Sequence, residues 1–171
     1  MSAVGRLVVP WQVSGLRDGE WLRDQMSGIW TQRFPDMPRV NNVDVSFGDS
    51  WKSRLGVISL SIDNSTSYIG LNSLLSLPEA PECIARITLA HEMVHYLHGF
   101  GSPLPRRYRN PHRGRIVEKE LFARGFYEEF QEYEEWIADH WFDFYDRCAL
   151  NPAVVTTRPP AMKARETYES Q

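Results

Sequence analysis

The residues best suited to chemistry are two histidines with a glutamate between them, in the run His91-Glu92-Met93-Val94-His95. On a helix, histidines four positions apart lie on one face, where their rings come close enough to bind one zinc ion. The glutamate then lies near the open side of the metal, where it can act as a general base. The pattern predicts a catalytic zinc site with His91 and His95 as ligands and Glu92 as the base.

A tetrahedral zinc ion with two histidines needs a third protein ligand from elsewhere in the chain. His98 shares the helix, but it follows His91 by seven residues, roughly 10 Å along the axis, which is too far to share an ion. We expect His98 to be a core residue or a neighbour of the ligands. His112 comes seventeen residues after His95, beyond a long turn, and has the reach to fold back.

The rival third ligand is a glutamate from the following helix, which completes the other common site of this type. Glu135 is the best of these, because Asp139 lies one turn further on and could hydrogen-bond a ligating histidine. Glu118 and Glu120 are weaker alternatives. His140 lies within the aromatic part of the same helix and is expected to be a packing residue.

The elements that must position these residues follow from hydrophobic periodicity. Asp18 is a predicted N-cap, followed by a helix with an aromatic stripe that ends at Pro35 and Pro38. Three short alternating runs predict strands near residues 43–47, 58–62 and 68–71. The zinc helix runs from about 82 to 97, and residues 118–148 predict a long aromatic and acidic helix with a kink or break at Gly125. The fold class is therefore α+β, with a small, mostly antiparallel, three-stranded sheet.

Length and composition are those of one globular domain. The chain has 171 residues, a net charge of −3 and 42% hydrophobic residues. We expect a flexible arm over 1–18, a domain over 19–150 and a C-terminal tail over 151–171. No apolar run approaches the ~20 residues of a membrane span. Two cysteines, Cys83 and Cys148, without a Cys-x-x-Cys motif, favour a reducing compartment, so we expect a soluble, cytoplasmic protein with no membrane partner.

Charge is distributed unevenly around the predicted site. Residues 106–115 hold five arginines and no acid, whereas residues 118–146 hold ten acids. A basic turn that leads into an acidic helix can neutralise itself within the fold. The negative net charge argues against a general affinity for nucleic acid, but the arginines leave a DNA partner open.

The runs RLGVISLSI, YIGLN, AHEMVHYLHGFG and PHRGRI together resemble the SprT-like (Spartan-type) zinc metallopeptidase domain, over about residues 19–130. The resemblance implies a zincin-like fold, Zn²⁺ as cofactor and His112 as the third ligand. It departs from the family where an arginine separates His112 from Gly114. The run Glu135-Trp136-Ile137-Ala138-Asp139 is similar instead to a segment of ImmA/IrrE-type gluzincins, which keeps Glu135 open as a ligand.

The function implied is hydrolysis of peptide bonds in flexible or unfolded protein segments, with Glu92 as general base on a zinc-bound water. Tyr108, Arg107 and Arg109, in the turn before His112, are candidates to contact the substrate or stabilise the transition state. SprT-like relatives also act on proteins crosslinked to DNA. Two alternatives stay open: a gluzincin-type regulatory protease that uses Glu135, and a non-catalytic zinc module that binds DNA or protein.

Overall fold

The structure, a computed structural model, describes residues 15–150 and the backbone of residues 164–170. It is an α+β fold, as predicted. In chain order its elements are α1 (Gly19–Arg33), β1 (Asn42–Phe47), β2 (Gly56–Ser61), β3 (Thr66–Leu71), α2 (Glu82–Leu97), α3 (Ile116–Ala123), α4 (Tyr127–Cys148) and β4 (Ala164–Ser170). The predicted arm lies outside the described residues up to position 14, as do residues 151–163 of the predicted tail.

Helix α1 begins where the sequence predicts. The backbone N–H of Trp21 donates to Oδ1 of Asp18 at 2.9 Å, which caps one of the free donors of the first turn. Leu22, Met26 and Ile29 form the buried face of the helix, and this face packs against β1.

The sheet contains the three predicted strands but is mixed. Its order is β1-β3-β2-β4. Strands β2 and β3 pair antiparallel, whereas β1 pairs parallel with β3. Two of the three pairings are antiparallel, so the sheet is mostly antiparallel, as predicted. The exception is β1, which lies beside β3 rather than beside its sequence neighbour β2. Part of the predicted tail adds the fourth strand, which pairs antiparallel with the other edge of β2.

Helix α2 is the centre of the core. It packs against β2 and β3 and also against α1, α3 and α4. Because it has neighbours on several sides, most of its residues are buried, including the polar Glu92 and His95. A helix that packs against neighbours on several sides is expected to be apolar over most of its circumference. Polar side chains at its centre are therefore exceptions that need a reason.

The predicted long C-terminal helix is divided into α3 and α4. The break is at Gly125, whose φ of +83° is in the left-handed region that favours glycine. Helix α4 then buries Phe130, Trp141, Phe144 and Cys148, and its acidic residues lie mainly on the other face.

Among the described residues, no helix is both long enough and apolar enough to cross a membrane. Cys83 and Cys148 are both free thiols.

Candidate metal centre

His91 and His95 lie on one face of α2, as their spacing predicts. Their ring centroids are 4.8 Å apart, with an angle of 78° between the ring planes. His95 is completely buried, whereas His91 is partly exposed. The pair therefore lies at the boundary of the core.

The segment after α2 turns back and brings His112 to this pair. Gly99 and Gly101 adopt φ values of +80° and +69°, which reverse the chain. The reversal is held by backbone hydrogen bonds from Phe100 N–H to His95 O and from Arg107 N–H to His98 O, both 2.9 Å long. At the end of the loop, the N–H of His112 donates to Oδ1 of Asn110 at 3.0 Å.

The three imidazoles converge on one point. The His112 ring centroid is 5.8 Å from that of His91 and 4.8 Å from that of His95. Their ligand nitrogens all lie within 4.8 Å of one another. Tetrahedral zinc, with bonds of about 2.0–2.1 Å, holds its ligand nitrogens about 3.3 Å apart. The three nitrogens must therefore move slightly closer together to hold an ion. The His112 ring is exposed, so it has room to move inwards.

The chemistry of the donors fits a divalent metal. Among the described residues, buried Nε2 of His91 and both ring nitrogens of His95 lack a hydrogen-bond partner. Buried polar atoms of this kind are costly unless something binds them. Burial, reinforced by the nearby His112, lowers the pKa of His91 to about 3. Burial and the neighbouring histidines lower the pKa of His95 to about 2. Both imidazoles are therefore neutral at pH 7, the form that binds metal.

Glu92 lies on the same turn of α2 and is completely buried. Its side chain lies against Gly56, the first residue of β2. A Cβ atom added at Gly56 would be 2.7 Å from Glu92 Oε1 and 2.7 Å from Thr88 Cγ2. Only a glycine leaves room for the carboxylate between α2 and the sheet at this point.

The glutamates considered as rival ligands lie elsewhere. Glu135 and Asp139 are exposed on α4. Glu118 forms an ion pair with Arg115 at 2.9 Å, and Glu120 forms one with Arg124. Among the described residues, the structure gathers only the three histidines into a group able to hold a metal.

His98 is buried beneath the loop that carries His112. Its ring packs against the ring of Tyr108, with centroids 4.8 Å apart, and its Nε2 is 3.7 Å from Glu120 Oε2. Burial lowers the pKa of His98, while Glu120 opposes this shift. His98 thus packs inside the fold beneath this loop, in agreement with the expectation of a core residue. His140, expected to pack in the core, is exposed and contacts the ring of Trp136.

The candidates for substrate contact have different surroundings. Tyr108 is partly covered by its contact with His98 and is 42% exposed. Arg107 and Arg109 are exposed in the same loop. Tyr108 and Arg109 line a cavity of about 350 Å³ together with Asn110 and Arg113. Asn110 and Arg113, which line this cavity, are close to His112 in the sequence. The cavity is open to solvent.

Two residues near Glu92 were not singled out by the sequence as site residues. Gly56 belongs to the RLG run, but only the folded chain reveals its contact with the glutamate. Tyr133 of α4 lies within the segment that the sequence predicts as a long aromatic and acidic helix. Burial raises the pKa of Tyr133, and the nearby Glu92 carboxylate raises it further. The only sequence signal for Tyr133 was its hydroxyl group, since a buried tyrosine usually needs a hydrogen-bond partner.

Comparison with known proteins adds no relative: no protein family, no curated protein and no solved structure matches this chain.

Proposed function

We propose that the chain is a zinc-dependent endopeptidase that hydrolyses peptide bonds in flexible or unfolded segments. His91, His95 and His112 would hold the metal, and Glu92 would act as the general base. One observation carries the proposal: imidazoles from α2 and from a distant loop converge beside a buried glutamate of the same helical turn.

Three histidines are a ligand set typical of catalytic rather than structural zinc, because they leave one coordination position for water or substrate. Zinc bound there would polarise the scissile carbonyl and lower the pKa of a bound water molecule towards about 7. A purely structural site has no use for the adjacent carboxylate of Glu92. The glutamate is therefore the feature that favours an enzyme over a binding module.

The protein's own residues would perform the proton transfers. Glu92 follows His91 directly in α2, and contact with Gly56 restricts the position of its carboxylate. From there it can accept a proton from the attacking water and later donate one to the leaving amine. His95, which is completely buried, would keep its ring fixed by packing, whereas the exposed His112 ring would adjust to the metal.

We also propose that the chain belongs to the SprT-like family. A mixed sheet, a helix with His-Glu-x-x-His that packs against it, and a later histidine that folds back support a zincin-like fold of the SprT-like type. The exposed position of Glu135 counts against the gluzincin alternative. The substrate would be an extended polypeptide, since such chains can pair with a sheet edge through main-chain hydrogen bonds.

The test compares the zinc content and the peptidase activity of the wild type and Glu92→Gln on an unfolded, labelled protein. We expect equal zinc content and a rate roughly 100-fold to 10,000-fold lower in Glu92→Gln. Glu135→Gln, an equivalent change at an exposed glutamate, should behave like the wild type. Cleavage by Glu92→Gln at the wild-type rate would remove Glu92 from this role. A zinc-loaded wild type that cleaves no unfolded substrate would identify a binding module instead.

A further inference from the structure

The edge of the sheet nearest Glu92 is covered by a segment of the same chain. Strand β4 (Ala164–Ser170) pairs antiparallel along the whole of β2. The register places Ser170 opposite Gly56, Tyr168 opposite Ile58 and Glu166 opposite Leu60. The strand thus extends to the residue that contacts the Glu92 carboxylate.

The hydrogen bonds on the β3 side of β2 show which backbone groups of β2 point towards β4. The N–H of Asn72 donates to Leu55 O at 2.7 Å, so the backbone of Leu55 faces β3. Backbone groups alternate in direction along a strand. Gly56, Ile58 and Leu60 therefore present their N–H and C=O groups to β4.

These three residues are also the ones that an extended substrate would need. Gly56 is in contact with Glu92, so a strand paired with this edge passes next to the proposed base. Recognition of peptides by addition to a sheet edge uses these same main-chain groups and accepts one strand at a time. A strand already paired there must leave before another can bind.

We propose that the edge formed by Gly56, Ile58 and Leu60 is a binding site for one extended polypeptide strand, and that residues 164–170 occupy it in cis and exclude other chains. That the excluded chain is a substrate rests on the proposed function. The strand site itself rests only on the pairing and its register. The ligand class is an extended peptide that runs antiparallel to β2.

Two features make the cis strand suited to exchange. Among the strands that the structure describes, it lies at the edge of the sheet. Its ladder is also interrupted, because Leu60 pairs with Glu166 while Ser61 pairs with Ala164, which leaves residue 165 as a bulge. Among the described strands β4 pairs with β2 alone, so it can separate from the sheet without breaking any other strand pairing.

The test uses proline substitutions in the full-length chain. Tyr168→Pro removes an N–H that faces Ile58, and Glu166→Pro removes one that faces Leu60. Thr167→Pro is the matched control, because the N–H of residue 167 points away from β2. Amide hydrogen exchange at Ile58 and Leu60 should be roughly fivefold faster or more in the first two variants, the effect of losing about one net hydrogen bond. The control should exchange like the wild type.

The second measurement is binding of a labelled peptide with the sequence of residues 164–170. It is made in a Glu92→Gln background, so that cleavage plays no part. Tyr168→Pro and Glu166→Pro should bind the peptide with a Kd at least roughly fivefold lower than Thr167→Pro and the wild type, with the peptide-induced changes centred on Gly56, Ile58 and Leu60. Having two disruptive variants keeps the test informative if one of them fails to fold.

The outcomes separate this inference from the proposed function. Equal exchange and equal peptide affinity in all four chains overturn the inference, even if the chain with Glu92 cleaves protein. Tighter peptide binding in Tyr168→Pro and Glu166→Pro supports it, even if no chain cleaves anything, in which case the proposed peptidase activity is what fails. If the strand site and the peptidase activity are both real, Tyr168→Pro and Glu166→Pro also cleave unfolded protein faster than Thr167→Pro when all three retain Glu92.

Discussion

The side chain of Glu92 lies directly against the backbone of Gly56, with room for no Cβ atom between them. This contact connects the helix that carries the histidine pair to the first residue of β2. It restricts where the carboxylate can lie and joins the proposed base to the strand at which an extended peptide would pair.

Gly56→Ala should impair catalysis without loss of metal. The new methyl group would be 2.7 Å from both Glu92 Oε1 and Thr88 Cγ2, and neither side chain is free to leave because both are buried. The carboxylate must shift, and a displaced general base costs roughly 100-fold or more in rate. Zinc content and kcat on an unfolded protein are the measurements.

The matched control is Gly28→Ala in α1. A Cβ atom there would meet nothing within 4 Å, and alanine is the better helix former by about 1 kcal/mol. This variant should therefore be at least as stable as the wild type and equally active. Equal activity of Gly56→Ala and Gly28→Ala would show that the contact with Glu92 has no role in the reaction.

Tyr96 connects α2 to the segment before β1 and should contribute to stability. Its buried hydroxyl donates to Asn41 Oδ1 at 2.9 Å and accepts from the N–H of Val40 at 3.1 Å. Tyr96→Phe should lower the free energy of unfolding by about 1–2 kcal/mol, measured by urea denaturation. The same change at Tyr127, which is 56% exposed, should alter it by less than about 0.5 kcal/mol. Equal effects at the two positions would contradict this role of the hydroxyl.

Acid should weaken one ion pair that joins the segment after α1 to the end of α3. Arg124 contacts both carboxylate oxygens of Asp36, at 2.7 and 2.9 Å, and this hydrogen bonding lowers the pKa of Asp36 to about 2. A carboxyl pKa lower in the folded than in the unfolded chain stabilises the fold above about pH 4, and the contribution is lost as the pH falls towards 2.

Asp36→Asn should therefore be less stable than the wild type at pH 7, and the difference should become smaller near pH 2, close to the folded pKa of Asp36. Since Asp36 is 61% exposed, the difference at pH 7 should be below about 1 kcal/mol. Urea denaturation at both pH values measures it. A difference of the same size at both pH values would indicate that the charge of Asp36 is not its cause.

Local sequence signals predicted much of the fold. Asp18 as N-cap, the apolar stripe of α1 and the alternating strands are all properties of neighbouring residues, and each has its counterpart in the structure. The parallel pairing of β1 with β3 depends on strand order, which no local pattern encodes. The segment Ala164–Ser170 lacks apolar alternation, and its strand form comes from main-chain pairing with β2.

The sequence predicted the histidine pair on α2 better than the residues that reach the site from the loop and from β2. The spacing of His91 and His95 alone determined that their rings share a face of α2. The approach of His112 required the chain reversal at Gly99 and Gly101, so the sequence left a glutamate such as Glu135 open as an alternative third ligand. The contact of Glu92 with Gly56 joins residues 36 positions apart, and no spacing rule could predict it.

The most direct test of the central claim is zinc titration of the wild type beside His112→Ala and Glu135→Ala. The proposed site predicts one zinc per wild-type chain and equal affinity for Glu135→Ala. It predicts binding more than roughly 100-fold weaker for His112→Ala, because even the loss of a residue that only supports a ligand costs 10–100-fold. Wild-type affinity in His112→Ala, together with loss of zinc in Glu135→Ala, would contradict the three-histidine site.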